Sequence, residues 1–175
     1  MTLAAEDKVL VLVRHAKAET WRPGGNDHSR RLTDRGHRDA AAAGMWLHAQ
    51  GIGADLVLLS SSARTRETAQ AMAAAGLAEA DLEHRDEIYD AHPEAILGAI
   101  REVGTDVAVL VVIGHAPGIP GLASLLAAGA GSESAHDELG DGMPTSAIAV
   151  LSYSGTWSDL HPGDATLEQF HVPRG

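Results

Sequence analysis

The sequence predicts an α/β fold: a three-layer αβα sandwich around a mostly parallel sheet, formed by one domain over residues 1–175. Three observations carry this prediction. Three short runs, at residues 8–13, 55–59 and 107–113, are rich in Val, Leu and Ile and apolar on both faces, as strands buried between two helical layers must be. Stretches with helix punctuation separate these runs. The chain has 175 residues, 45% hydrophobic and 21% charged, which suits one compact domain whose core needs no covalent staples.

The elements follow in order. After the first strand, Thr33 is placed to cap a helix carrying Ala40, Ala43, Trp46 and Leu47, and Gly51 to end it. The second strand leads into a helix from about Ala63 to Ala75, stopped by Gly76. Pro93 suits a first helical position, Glu94 the first turn and Gly104 the exit, so a third helix precedes the strand at 107–113. A fourth starts near Gly118 and covers Leu122 and Leu126. Beyond it, residues 129–142 are rich in Gly, Ser, Asp and Glu, and read as a surface loop that could close over a site. Strand character returns at 147–153 and again at 167–172.

Composition narrows the function classes. There is no cysteine, which removes disulfides, thiolate metal sites and a thiol nucleophile, and fits a cytoplasmic location. The formal net charge is -11, which argues against nucleic-acid and anionic-membrane partners, because both need a basic face. The first eight residues hold two acids before their first base and no apolar run of export-signal length. The charge is uneven, however. Of the 13 bases, nine lie between Arg14 and Arg66, whereas Arg174 is the one base after residue 101. A cationic segment inside an anionic chain is the pattern expected of a small-anion site.

Each central strand run ends in polar residues: Arg14-His15 after the first, Ser60-Ser61-Ser62-Ala63-Arg64 after the second, Gly114-His115 after the third. In an open parallel sheet ligands bind beyond the carboxyl ends of the strands, so these segments should converge. Two guanidiniums and two imidazoles would meet there. Arginine matches phosphate oxygens with a planar fork, and a histidine kept neutral by neighbouring cations can attack phosphorus.

Four ordered motifs extend this pattern: Arg14-His15-Ala16; Leu32-Thr33-Asp34-Arg35-Gly36; Ser60 followed by Arg64-Thr65, Glu67, Thr68 and Ala69; and Gly114-His115 followed by Pro117-Gly118. Together they resemble the histidine phosphatase superfamily, and most closely its small SixA-type phosphohistidine phosphatase branch. Ala91-His92-Pro93, Pro144-Thr145, Trp157 and Pro173-Arg174 extend the resemblance over nearly the whole chain. It implies a phosphoglycerate mutase-like fold, His15 as the residue that accepts the phosphoryl group, Arg14 and Arg64 as ligands of its oxygens, and His115 as a hydrogen-bond donor to the transferring group. No metal and no cofactor are implied. Ala16 stands where the wider superfamily usually has Gly, and Ala116 where the branch often has Asn.

A general acid is harder to place. Asp86, Glu87 and Asp90 are the candidates between Arg64 and His115, and none carries a motif. An alkoxide leaves poorly without a proton, whereas protonated phosphoimidazole expels neutral imidazole, so a strong cradle with a weak acid favours a protein phosphohistidine donor over small phosphomonoesters. A small phosphorylated molecule as substrate, a mutase and a phosphate-binding module without turnover are the alternatives. Lys17 is a further candidate substrate ligand, and the bases of residues 27–31 are candidates for the rim. The other histidines, including His37 and His48, have no spacing that suggests metal. The sequence does not define an oligomeric state.

Overall fold

The computed structural model describes residues 7–77 and 80–175. The expectation about an export signal therefore falls chiefly on residues 1–6, outside the described residues. Among the described residues, six strands form one sheet: β1 (Asp7–Arg14), β2 (Leu56–Ser60), β3 (Asp81–Arg85), β4 (Val109–Gly114), β5 (Ile148–Ser154) and β6 (Thr166–His171), in the order β3-β2-β4-β1-β5-β6. The β3, β2, β4 and β1 neighbours pair in parallel; β5 is antiparallel to β1, and β6 to β5. Five α-helices of the described residues accompany them: α1 (Asp34–Ala49), α2 (Ala63–Ala75), α3 (Pro93–Arg101), α4 (Gly118–Ala127) and α5 (Glu133–Asp141).

Strand alternation sorts the core into two layers. Val9, Val11 and Val13 of β1 pack with Val57 and Leu59 of β2, Ala43 and Leu47 of α1 and Met72 of α2. Leu10 and Leu12 point the other way, onto Leu58, Ile96 and Ile100 of α3 and Leu122 and Leu126 of α4. Because successive strand side chains face opposite sides, a run apolar at every position is what a doubly covered strand requires. That is the three-layer arrangement the sequence predicts.

Helix starts follow their caps. Thr33 accepts the amide of Gly36 at 3.1 Å and donates its own hydroxyl to the Lys17 carbonyl at 3.2 Å, which ties the start of α1 to the chain leaving β1. Gly36 is needed at that junction, since a Cβ there would lie 2.1 Å from the Lys17 carbonyl oxygen. Ser62 caps α2 by accepting from Thr65, and Pro93 opens α3.

Two elements differ from the sequence reading. Residues 129–142 are not a loop: Ser132 caps α5, and Ala135 and Leu139 are buried against the core. Two apolar positions four apart on a polar helix suffice to dock it, and the surrounding Gly, Ser and acids masked them. A segment held this way is not a free lid. The edge strand β3, sequence DLEHR, also went unread, because its charges suit an exposed sheet edge and leave no apolar alternation.

Candidate active site

The register of the sheet brings the polar strand ends together. Val13 and Leu59 both lie opposite Ile113, so β1, β4 and β2 finish at one level. Arg14 pairs with Gly114, and the His15 amide donates to the Gly114 carbonyl at 3.0 Å, so His15 and His115 leave adjacent strands side by side. Their ring centroids are 5.2 Å apart. Gly114 allows this: a Cβ there would press on Ile119 at 2.9 Å.

The protonation of His15 follows from its partner. Nδ1 lies 2.7 Å from the Ala16 carbonyl oxygen, which can only accept, so Nδ1 carries the hydrogen and Nε2 the lone pair. The side chain is buried. Burial, followed by the positive charges of Arg64, Arg14 and Arg30, brings its pKa down to about 4, against the partial opposition of the Ala16 bond. Near neutral pH the ring is therefore uncharged and nucleophilic at Nε2. Thr68 steadies this turn by accepting from the Ala16 amide at 3.0 Å and donating to the Arg64 carbonyl at 2.7 Å.

Arg64, at the start of α2, is the hub. Its side chain is 3% exposed. Nη1 donates to the Asp27 carbonyl at 2.9 Å; Nη2 donates to Asp27 Oδ2 at 3.2 Å and to Nδ1 of His115 at 3.1 Å, with Asp90 Oδ1 3.8 Å away. Because guanidinium can only donate, His115 Nδ1 is the acceptor and Nε2 carries the hydrogen, which goes to Ser60 Oγ at 2.8 Å. Burial, then Arg64, lower the His115 pKa to about 3. Arg14 donates from Nη1 to the Met143 carbonyl at 2.8 Å, and burial lowers its pKa. The Nε–H groups of Arg14 and Arg64 are both buried without a hydrogen-bond partner. Two orphaned cationic donors beside a neutral imidazole fit a tetrahedral oxyanion, since each unpaired buried donor carries a penalty that an anion's oxygens relieve.

An outer tier surrounds this cradle. Tyr89 donates its hydroxyl to Asp27 Oδ2, its ring meets that of His115 edge-on at 5.5 Å, and the Arg64 guanidinium lies 5.8 Å from its centroid. Arg30 holds Asp27 Oδ1 from Nε at 2.9 Å and from Nη2 at 2.8 Å. His28 shares a hydrogen bond with Ser61 at 2.9 Å and meets Tyr89 edge-on. Beside it runs a cleft lined by His28, Ser29, Arg31, Arg66, Glu67 and Gln70. Glu67 anchors the whole segment, accepting from the Leu32 amide at 2.7 Å and from Arg31 Nε at 2.6 Å.

The family model of the histidine phosphatase superfamily, branch 1, matches residues 10–109. The chain belongs to this superfamily. As a histidine phosphatase superfamily member it is 40% identical over 163 residues to an uncharacterised protein of Mycobacterium tuberculosis, covering 93% of this chain and 100% of that one. An uncharacterised protein of Mycobacterium leprae is 34% identical over 165 residues, with the same coverage of both chains. Among solved structures, the candidate phosphohistidine phosphatase SixA of Nakamurella multipartitia is 35% identical, with a TM-score of 0.81 over 95% of this chain and 96% of that one. Its counterpart from Agrobacterium tumefaciens is 30% identical, with a TM-score of 0.80 over 95% and 98%. The fold is that of the superfamily. His115 lies beyond the span of the family model, and the full-length similarities carry the likeness that far.

Of the residues singled out in the sequence, Arg14, His15, Arg64 and His115 come together around one centre. Lys17 is exposed, and its described bonds are those of its carbonyl to the amide and hydroxyl of Thr33. Glu87 is paired with Arg85 at 3.0 Å, and of Asp86, Glu87 and Asp90 it is Asp90 that approaches Arg64. Sequence reasoning missed Asp27 and Tyr89. Asp27 lay in a stretch read for its bases, and a tyrosine between acids gives no periodic signal. Among the described residues no group of three or more His, Asp and Glu is arranged to hold a metal ion, and no helix is long and apolar enough to cross a membrane.

Proposed function

We propose that this protein is a metal-independent phosphatase that passes a phosphoryl group from phosphohistidine on a protein to Nε2 of His15, and then to water. The observation that carries the reading is the state of His15: Nδ1–H is committed to the Ala16 carbonyl, the lone pair stands on Nε2, and burial among cations keeps the ring neutral.

In the first step the Nε2 lone pair attacks phosphorus, and the bond to the donor nitrogen breaks, its electron pair returning to that nitrogen. A donor ring already protonated on its other nitrogen leaves as neutral imidazole. Arg14 and Arg64 hold the equatorial oxygens through their orphaned Nε–H groups, and His115 faces the transferring group. Positive charge already gathered at the site before the reaction stabilises such a transition state. In the second step water attacks phosphorus and passes a proton to the phosphate oxygens or solvent, the P–Nε2 bond breaks with its electron pair returning to Nε2, and Nδ1–H stays hydrogen-bonded to the Ala16 carbonyl. Lys17 adds exposed charge two residues beyond the nucleophile. The cleft lined by Arg31, Arg66 and Glu67, whose carboxylate pairs with Arg31, gives a protein-borne donor the exposed charge of Arg66 to approach, and the SixA-named relatives favour the same donor class.

The test is a phosphorylated histidine-containing phosphotransfer protein supplied in the presence of EDTA, with the reaction quenched into alkaline detergent, where phosphohistidine survives. Release of inorganic phosphate and a labelled protein in the wild type, both lost in His15→Ala, are expected. Full activity in His15→Ala would overturn the mechanism.

A further inference from the structure

We infer that Asp27 and Asp90 select the leaving group, admitting phosphoryl donors whose leaving nitrogen is part of a cationic ring and disfavouring donors that carry or release an anion. The inference rests on the reading of His15 as the phosphoryl acceptor and adds the residues that decide between donor classes.

The argument begins with layering. Both carboxylates approach the same atom, Nη2 of Arg64, Asp27 at 3.2 Å and Asp90 at 3.8 Å. The arginine side chain is 3% exposed, whereas those of Asp27 and Asp90 are 35% and 60% exposed. The acids therefore stand on the solvent side of the guanidinium. His15 is buried below, and in-line transfer to its Nε2 places the leaving group opposite, toward that solvent side. A donor's leaving group thus passes a rim bearing two carboxylates, of which Asp27 holds Arg30 through Oδ1 and presents Oδ2, above a floor bearing two guanidiniums.

The rim is built, not incidental. Asp27 sits in a single 3-10 turn, residues 27–29, where Arg30, Arg64 and Tyr89 all converge on it. The hydrogen bond from Tyr89, then those from Arg30 and the charge of Arg64, take its carboxyl down to about 2. It therefore has no proton to give near neutral pH, and it cannot act as the general acid an alkoxide would need. What it does supply is fixed negative charge. A phosphoimidazolium ring is attracted by it, and when phosphoryl oxygens draw Arg64 Nη2 away, Oδ2 can accept from the ring's free N–H. A glycerate carboxylate or a departing alkoxide meets repulsion there. Selection by a repulsive element needs no added affinity for the preferred substrate. Tyr89 is the positioning residue: it holds Oδ2 without adding charge.

The experiment compares kcat/KM for a phosphohistidine peptide and for 3-phosphoglycerate in the wild type, Asp27→Asn, Asp90→Asn and the double variant. Each substitution keeps shape and removes charge. The expected result is a fall in the phosphohistidine-to-phosphoglycerate ratio of about tenfold or more in the double variant, through both a loss on the first substrate and a gain on the second. Equal changes on both substrates would overturn the inference and leave the acids as struts for Arg64. If Asp27→Asn does not fold, Asp90→Asn still decides, since Asp90 is largely exposed and its contact is long: an unchanged ratio counts against the inference. Failure of the wild type to form phosphorylated His15 with either substrate overturns the reading beneath it, whereas a labelled His15 with an unmoved ratio overturns this inference alone.

Discussion

Nη2 of Arg64 donates to Nδ1 of His115 at 3.1 Å, and that one bond fixes the tautomer of the second histidine. With Nδ1 accepting, the single N–H of neutral His115 points from Nε2 to Ser60 Oγ. Neither nitrogen then has a hydrogen free for a phosphoryl oxygen. For His115 to donate, it must gain a proton at Nδ1 when the anion arrives and draws Arg64 away. An oxyanion beside a neutral imidazole raises its pKa, opposing the burial that holds it near 3. The expected outcome is proton uptake on vanadate binding, seen in 15N NMR as conversion of His115 Nδ1 from an unprotonated to a protonated nitrogen. A spectrum in which Nδ1 stays unprotonated would show that His115 works by positioning Arg64.

The pH dependence of the first step has a defined sign. His15 reacts only when Nε2 is unprotonated, and its pKa is lowered to about 4. As pH falls through 6.5, where an unperturbed histidine would gain its proton, kcat/KM should hold, and its acid limb should come near 4. Stability moves in the same window. The unfolded chain takes up protons at these histidines near 6.5, whereas the folded chain does so near 4 and near 3, so stability present above pH 6.5 is lost as pH falls toward those values. Urea midpoints measured from pH 7 to pH 4 check this. Replacing His115 with Phe should flatten part of the slope.

Glu67 belongs to a motif whose other members lie near the phosphoryl cradle, yet its bonds are structural. It accepts from the buried Leu32 amide and from Arg31, and burial, which would raise its pKa, is outweighed by those two bonds, so the carboxyl is held low. Glu67→Ala leaves the Leu32 N–H without its acceptor, and should cost about 1–3 kcal/mol by urea denaturation. The segment it anchors carries Asp27 and Arg30, so phosphoryl transfer should slow as well. An unchanged denaturation midpoint would mean that water replaces the carboxylate at no cost.

The strands that place the chemistry were legible because burial on both faces forces apolar residues at every position, and the cap at Thr33 and the proline at position 93 mark where two of the helices must begin. The register that aligns Val13, Leu59 and Ile113 follows from those runs ending together. What stayed hidden was structure whose stability comes from tertiary contact. Helix α5 docks through Ala135 and Leu139 alone, and β3 is an edge with one hydrophobic residue, Leu82, itself exposed. The outer tier of the site was hidden for a related reason. Asp27 and Tyr89 act on Arg64 and His115 across separations of 37 and 26 residues, and local pattern carries no trace of such pairings.

Salt should separate the two charges of this molecule. The net charge of -11 repels any acidic phosphoprotein, while the bases between Arg14 and Arg66 attract it at close range. The first is spread over the surface, with eight units of it belonging to the last 74 residues, which hold nine acids and Arg174. Two of those bases, Arg31 and Arg66, line one cleft beside His28, with Arg31 paired there to Glu67. At about 0.15 M salt, charges more than about 8 Å apart in solvent are already largely screened, so the diffuse repulsion is mostly spent there and what further salt weakens is the close-range attraction of the exposed cleft bases. Contacts inside the cradle, with Arg64 buried and Arg14 half-buried, fade least. Taking a histidine phosphotransfer protein as donor, 1/KM should therefore fall with added salt in proportion to the cleft bases, and Arg66→Gln should flatten that slope while leaving kcat on a small phosphoramidate nearly unchanged. A 1/KM that rises with salt would show that the acidic surface, and not the cleft, governs encounter.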